Sequence, residues 1–170
     1  MGTGKSTIAR NMKRKYHMEI LEMDETIVER EGMSVPDIFS KKGEMYFRDL
    51  ETELLKELQE KDNMVVSCGG GVVLREQNVE SMKKSGYIVL LTASPETILK
   101  RVKRDENRPL LKGKKNVKDI QELMEARREK YESAADIQIC VDQTDSRKVC
   151  TEIINIIERL EEKEWKRRSF

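Results

Sequence analysis

The chain has 170 residues, enough for one domain with a real core. Its 33 basic and 32 acidic side chains leave a net charge of +1, so no global field draws it to nucleic acid or to an anionic membrane. Charged residues (38%) and hydrophobic ones (37%) are patterned, which argues against disorder, and no apolar run is long enough to span a bilayer.

No signal-peptide-like stretch opens the chain, and a cytoplasmic location is expected. Cys68, Cys140 and Cys150 are odd in number and lack metal-ligand spacing, so they read as reduced thiols. His17, the only histidine, flanks an expected strand and is given no catalytic role.

Gly4-Lys5-Ser6-Thr7 is the end of a phosphate-binding loop, GxxxxGK[ST]. Backbone N–H groups of such a loop curl around phosphate oxygens, and the helix behind it points its positive end at the same anion. Lys5 can reach the β- and γ-phosphates, and the Ser6 hydroxyl can hold Mg²⁺. The motif's first glycine would fall ahead of Met1, as would the strand that feeds such a loop. A helix is expected over 5–16, then a short strand over 17–22, apolar at Met18, Ile20 and Leu21. Asp24 follows at the carboxyl end of that strand, where α/β proteins place ligands. A helix over 25–31 stops at Gly32, and Ser34-Val35-Pro36 caps and opens another.

The periodicity predicts an amphipathic helix over 43–60 with Phe47, Leu50, Leu54 and Leu58 on one stripe. Arg48 lies near its start and, taken alone, reads as a solvated surface cation. A strand over 64–67 runs into Cys68-Gly69-Gly70-Gly71. That triplet suits either a flexible turn or a place where backbone must approach something closely. A helix over 76–85, a strand over 87–91 and a helix over 95–105 capped by Ser94 come next. Residues 106–115 form a basic loop with Pro109 and Gly113, either solvated or a lid over phosphates. The chain closes with a helix over 117–134 carrying Arg127 and Tyr131, a strand over 137–141 and a helix over 146–164. The tail 165–170 reads as frayed or appended. This alternation predicts a parallel sheet with helices on both faces.

With these pieces in order, the chain resembles shikimate kinase, a small nucleoside-monophosphate-kinase-like family. The resemblance rests on GKST at 4–7, acids at 22 and 24, FRxxE at 47–51, GGG at 69–71, RPLL at 108–111 and RxxxY at 127–131. It covers Gly2 to about residue 160. It implies an α/β three-layer sandwich of P-loop kinase type, here without the first strand. It also implies one domain over 1–164, with substrate-binding helices over about 24–60 and a lid over about 107–115. The implied reaction is ATP plus shikimate giving ADP and shikimate 3-phosphate, with Mg²⁺, in the route to aromatic amino acids. The catalytic residues implied are Asp24, Lys5 and Arg108. Asp24, Arg48, Gly69, Gly70, Gly71 and Arg127 would bind shikimate. Gly2, Thr3, Gly4, Lys5, Ser6, Thr7, Arg101 and Arg108 would bind ATP, with Arg101 over the adenine face. Ser6 would hold Mg²⁺, with Glu22 acting through water where the family usually has aspartate. The protein is expected to act as a monomer, without nucleic acid or membrane partners.

Two other readings stay open on the residues alone. One is a kinase of another small hydroxy acid such as gluconate. The other is a degenerate, non-catalytic nucleotide-binding homologue, favoured only by the incomplete phosphate loop. The family's first strand lies mid-sheet, so a sheet without it is expected to carry a slot with unpaired backbone groups, unless neighbouring strands close on each other. A strand and the missing glycine are expected ahead of Met1 in the natural protein or a neighbouring reading frame.

Overall fold

The computed structural model describes residues 2–102 and 116–168. The expected lid segment lies outside these residues, and Arg108 with it.

Four short strands carry the fold: β1 (Glu19–Glu22), β2 (Met64–Ser67), β3 (Val89–Thr92) and β4 (Ile137–Cys140). They pair in parallel, as the alternation predicts. β1 runs beside β2 in the register Glu19↔Met64 to Glu22↔Ser67. β3 runs beside β4 in the register Val89↔Ile137 to Thr92↔Cys140. The described residues form no ladder between the two pairs, so the sheet is interrupted. Strands covered on both faces and paired on both edges read as fully buried. Here Val65, Val66, Val89, Leu90 and Leu91 are only half-buried.

The helices follow from apolar spacing and capping. α1 (Lys5–Tyr16) buries Ile8, Ala9 and Met12 on one face, places Lys13, Arg14 and Lys15 at its negative end, and stops at His17. His17 has φ 56° and donates its backbone N–H to Lys13 O, so the only histidine is a helix cap. α2 (Met23–Glu31) begins directly after β1, earlier than the sequence predicts, which puts Asp24 in its first turn. α3 (Val35–Leu58) is capped by Ser34 Oγ, which accepts from Asp37 N. It is broken at Gly43, where φ is 87° and ψ 164°, so two helical runs meet there. A 3-10 turn at Val72–Leu74 precedes α4 (Glu76–Ser85), and α5 (Pro95–Val102) starts from Ser94, whose Oγ accepts from Thr97 N.

The helix expected over 117–134 is two helices, α6 (Val117–Glu125) and α7 (Arg128–Ala134). The break falls at Arg127, whose φ is −120° and whose N–H bonds Met124 O in a tighter turn. No glycine or proline marks that break. α8 (Ser146–Arg168) runs on through Trp165, so the expected frayed tail is helical as far as Arg168. No helix among the described residues is long and apolar enough to cross a membrane.

Two cores hold these layers. One gathers Ile8 and Met12 of α1, Ile137 and Ile139 of β4, and Val149 and Ile153 of α8. The other gathers Met23 and Ile27 of α2, Phe47 and Leu54 of α3, and Val72 and Val73. Val65 of β2 packs against the first core and its neighbour Val66 against the second, the alternation expected of a strand between two helical layers. Each fully buried aliphatic side chain contributes about 1.5–3 kcal/mol. The carboxyl ends of β1 and β2 lead straight into Asp24 and the glycine triplet, which sets the position of the site.

Candidate active site

The site has a phosphate end and an acid end. At the phosphate end Gly2 and Gly4 have φ of 63° and 92°, a backbone region open to glycine at little cost. Gly4 caps α1, and no acidic residue stands in the first helical turn. The amino end of α1 therefore presents backbone N–H groups and a positive dipole without an internal counter-charge in that turn. Arg101 holds the loop from behind. Its Nη1 donates to Gly2 O (3.3 Å) and Thr3 O (3.1 Å), and its Nη2 to Val141 O (3.4 Å). Tying the carbonyls down leaves the loop's amide edge for an anion. Arg101 spends its edge on these bonds, whereas stacking on a base would use its face.

Ser6 Oγ donates to Glu22 Oε2 at 3.0 Å. Glu22 Oε1 is buried with no hydrogen-bond partner. A buried carboxylate oxygen without a donor is costly unless something else supplies one. A hydroxyl beside such an oxygen fits a hydrated divalent cation, with Ser6 as ligand and Glu22 reached through water.

At the acid end each glycine of the triplet lies against different side chains. A methyl group on Gly69 would come within 2.7 Å of Glu51 Oε1 and 2.9 Å of Asp24 Oδ1. On Gly70 it would meet Tyr131 Oη at 3.0 Å, and on Gly71 it would overlap the guanidinium of Arg48. Close approach, the second reading of the triplet, is what the structure contains. The 3-10 turn fixes its shape, with Val72 N bonding Gly69 O and Leu74 N bonding Gly71 O. Gly70 O accepts from Tyr131 Oη (2.6 Å) and Arg127 Nη1 (3.3 Å). The helix break at Arg127 puts its side chain and that of Tyr131 on the same carbonyl.

Arg48 is buried, not solvated. Its Nη1 donates to Glu51 Oε2 at 2.7 Å, while Nε and Nη2 donate to Glu44 Oε1 at 3.2 and 2.8 Å. Phe39 and Phe47 flank the guanidinium, with ring centroids 5.8 and 5.5 Å from Cζ. Burial would lower the Arg48 pKa, but the bonds to Glu51 and Glu44 outweigh it and hold the cation firmly protonated. Glu51 is fully buried, and burial raises its pKa against the pull of Arg48, with the charge of Asp24 adding to the rise. Its Oε1 has no hydrogen-bond partner.

The structure thus brings Asp24, Arg48, Gly69, Gly70, Gly71 and Arg127 around one spot, and Gly2–Thr7, Glu22 and Arg101 around another. Thr7 is exposed. Sequence reasoning did not single out Glu44, Glu51 or Tyr131 as site residues. The available signal was helical spacing: Glu44 and Glu51 are four before and three after Arg48, and Tyr131 is four after Arg127.

Comparison with known proteins adds an independent line. The family model of shikimate kinase matches residues 1–158. The shikimate kinase of Sulfurihydrogenibium sp. (strain YO3AOP1) is 39% identical over 159 residues, covering 94% of each chain. That of Aquifex aeolicus (strain VF5) is 43% identical over 139 residues, covering 82% of this chain and 81% of the relative. Among solved structures, the shikimate kinase from Acinetobacter baumannii in complex with shikimate superposes with a TM-score of 0.87 at 33% identity, covering 94% of this chain and 89% of that one. A gluconokinase from Sinorhizobium meliloti 1021 superposes with a TM-score of 0.58 at 16% identity, covering 98% of this chain and 92% of that one, a likeness of fold alone. A glycine loop at the head of α1 and a glycine triplet lined by two arginines and an aspartate are thus found in a chain whose sequence matches one family almost end to end: it belongs to the shikimate kinase family.

Proposed function

We propose that this chain transfers the γ-phosphoryl group of ATP to the 3-hydroxyl of shikimate, and that its two ends divide the work. The observation that carries the reading is the convergence of Arg48, Arg127 and Asp24 on the glycine triplet at the carboxyl edge of the strands. A small ring bearing one carboxylate and several hydroxyls matches that set. The guanidinium forks take the carboxylate, the backbone of Gly69–Gly71 lies against the ring, and Asp24 accepts hydrogen bonds from ring hydroxyls. Asp24 then orients the attacking hydroxyl and takes its proton as the oxygen–phosphorus bond forms.

At the phosphate end the backbone of Gly2–Thr7 cradles the nucleotide phosphates, Lys5 neutralises charge on them, and Arg101 fixes the loop. Ser6 and Glu22 would hold Mg²⁺, which when bound supplies charge neutralisation for phosphoryl transfer. Arg108 keeps the role that the resemblance gives it, a cation brought to the transferred group by a lid. Phosphoryl transfer asks little covalent help of the protein, so position and charge dominate. We read the active unit as one chain, since both ends are built from its own residues, and the reaction as cytoplasmic, where ATP is supplied. A coupled ADP-release assay with and without shikimate tests the proposal. Shikimate-dependent release is expected, and release driven by gluconate but not by shikimate overturns it.

A further inference from the structure

We propose that Glu44 is an internal stand-in for the substrate's carboxylate, occupying the outer fork of Arg48 until an acid takes its place. The inference rests on the acid-site reading above. Arg48 as it stands has no room for a ligand carboxylate: its side chain is 7% exposed. Gly71 backs the guanidinium, and Phe39 and Phe47 flank it. Nη1 is committed to Glu51, whose side chain is 0% exposed and has nowhere to go. Nε and Nη2, the pair of donors that a carboxylate grips side-on, both converge on Glu44 Oε1. Glu44 is the one partner that can leave, since its side chain is 49% exposed. It also follows Gly43, where α3 is broken and where open space surrounds the missing side chain.

Charge points the same way. Glu44 and Glu51 both pair with Arg48, Asp24 stands with Glu51 against Gly69, and Arg127 bonds Gly70. A further carboxylate added to this set would be repelled, whereas one exchanged for Glu44 leaves the charge count unchanged. The exchange makes Glu44 a specificity residue. An acid replaces the bonds that Glu44 gives up, but a neutral polyol of the same shape would leave the fork unpaired.

The test is isothermal titration of wild-type, Glu44→Ala and Glu44→Gln chains with shikimate, with the neutral amide of shikimate, and with cyclohexene-1-carboxylate, which has the acid and no hydroxyl. Removing a half-exposed competitor should tighten both acids about threefold, the scale of an exposed ion pair, and leave the amide unmoved. An ordinary helical ion pair that merely braces Arg48 gives the opposite sign, with weaker acid binding in both variants. Unchanged or weaker binding of both acids therefore overturns the exchange. Tighter binding of the simple carboxylate in a chain that ignores shikimate upholds the exchange and overturns the substrate reading.

Discussion

The two ends of the proposed site would recognise anions by different means. The acid end uses side chains, and its two arginines are already engaged: Arg48 with Glu44 and Glu51, Arg127 with the Gly70 carbonyl. The phosphate end uses backbone, with left-handed glycines, a helix amino end and one arginine tying carbonyls down. A paired site is rigid and selective, because any ligand must replace bonds that already exist. A backbone site is indifferent to what the phosphate is attached to, and depends on the loop holding its shape. Most of the acid end rests on β1 and β2 with α2 and α3, with Arg127 and Tyr131 joining from α7, whereas the phosphate loop bears on both strand pairs through Ser6 to Glu22 and Arg101 to Val141.

The hardest blow to the acid end should come from Asp24→Asn. It keeps the volume and removes the acceptor of the attacking hydroxyl, so kcat should fall by about 10²–10⁴-fold. Asp24 is exposed, so the thermal midpoint should hardly move. Near-normal turnover would take Asp24 out of the mechanism. Next in size is the loss of an arginine, and here the two differ. Arg127→Ala removes a half-buried cation that bonds the Gly70 carbonyl, so it should raise KM for shikimate roughly 10- to 100-fold while KM for ATP stays put. Arg48→Ala should do the same and also destabilise the fold by about 3–5 kcal/mol, because Glu51 is left fully buried without its partner. Equal melting temperatures for the two variants would mean that Arg48 and Glu51 are not a structural pair.

Two glycine substitutions sharpen the contrast at about tenfold each. Gly71→Ala puts a methyl group into the Arg48 guanidinium, so it should raise KM for shikimate alone. Gly4→Ala has space, with Arg101 Nη1 4.0 Å away, but forces a side chain into φ 92° at a cost of about 1–2 kcal/mol, so it should raise KM for ATP alone. Steady-state kinetics with each substrate varied would separate them. If both variants lose affinity for the same substrate, the division into two ends is wrong.

Much of this was legible in the sequence because local rules decided it. The apolar pattern at Ile20 and Leu21 is a strand, Ser34 and Ser94 are caps, and Phe47 and Leu54 face the core as their spacing demands. What escaped was set by partners distant in sequence. Glu51 lies on the buried stripe of α3 four residues after Phe47, yet its charge argues for solvent until Arg48 is seen buried beside it. The break at Arg127 has no local breaker, since the tertiary bonds to Gly70 reward it. Strand pairing is likewise not a property of single strands, so the separation of the two strand pairs could not be read from any one of them.

The smallest effect concerns Cys68, which lies where β2 enters the triplet and feels both ends at once. Burial pushes its thiol up to about 12; the charge of Lys5 pulls it down, and those of Glu51 and Asp24 push it further up. Its Sγ donates to Val66 O at 3.7 Å, a bond that the thiolate would lose. Burial disfavours the charged form, so at pH 8 the thiolate fraction should be on the order of one in ten thousand, and the thiolate is the reactive species. Cys140 is exposed on β4. Brief treatment with iodoacetamide at pH 8, read by peptide mass spectrometry, should therefore modify Cys140 and spare Cys68. In Asp24→Asn one of the charges that push the thiol up is gone, so Cys68 labelling should rise slightly; in Lys5→Met the charge that pulls it down is gone, so labelling should fall further. Equal labelling of Cys68 and Cys140 in the wild-type chain would mean that the strand edge entering the glycine triplet is open to solvent, and burial would not then be what holds the Cys68 thiol up.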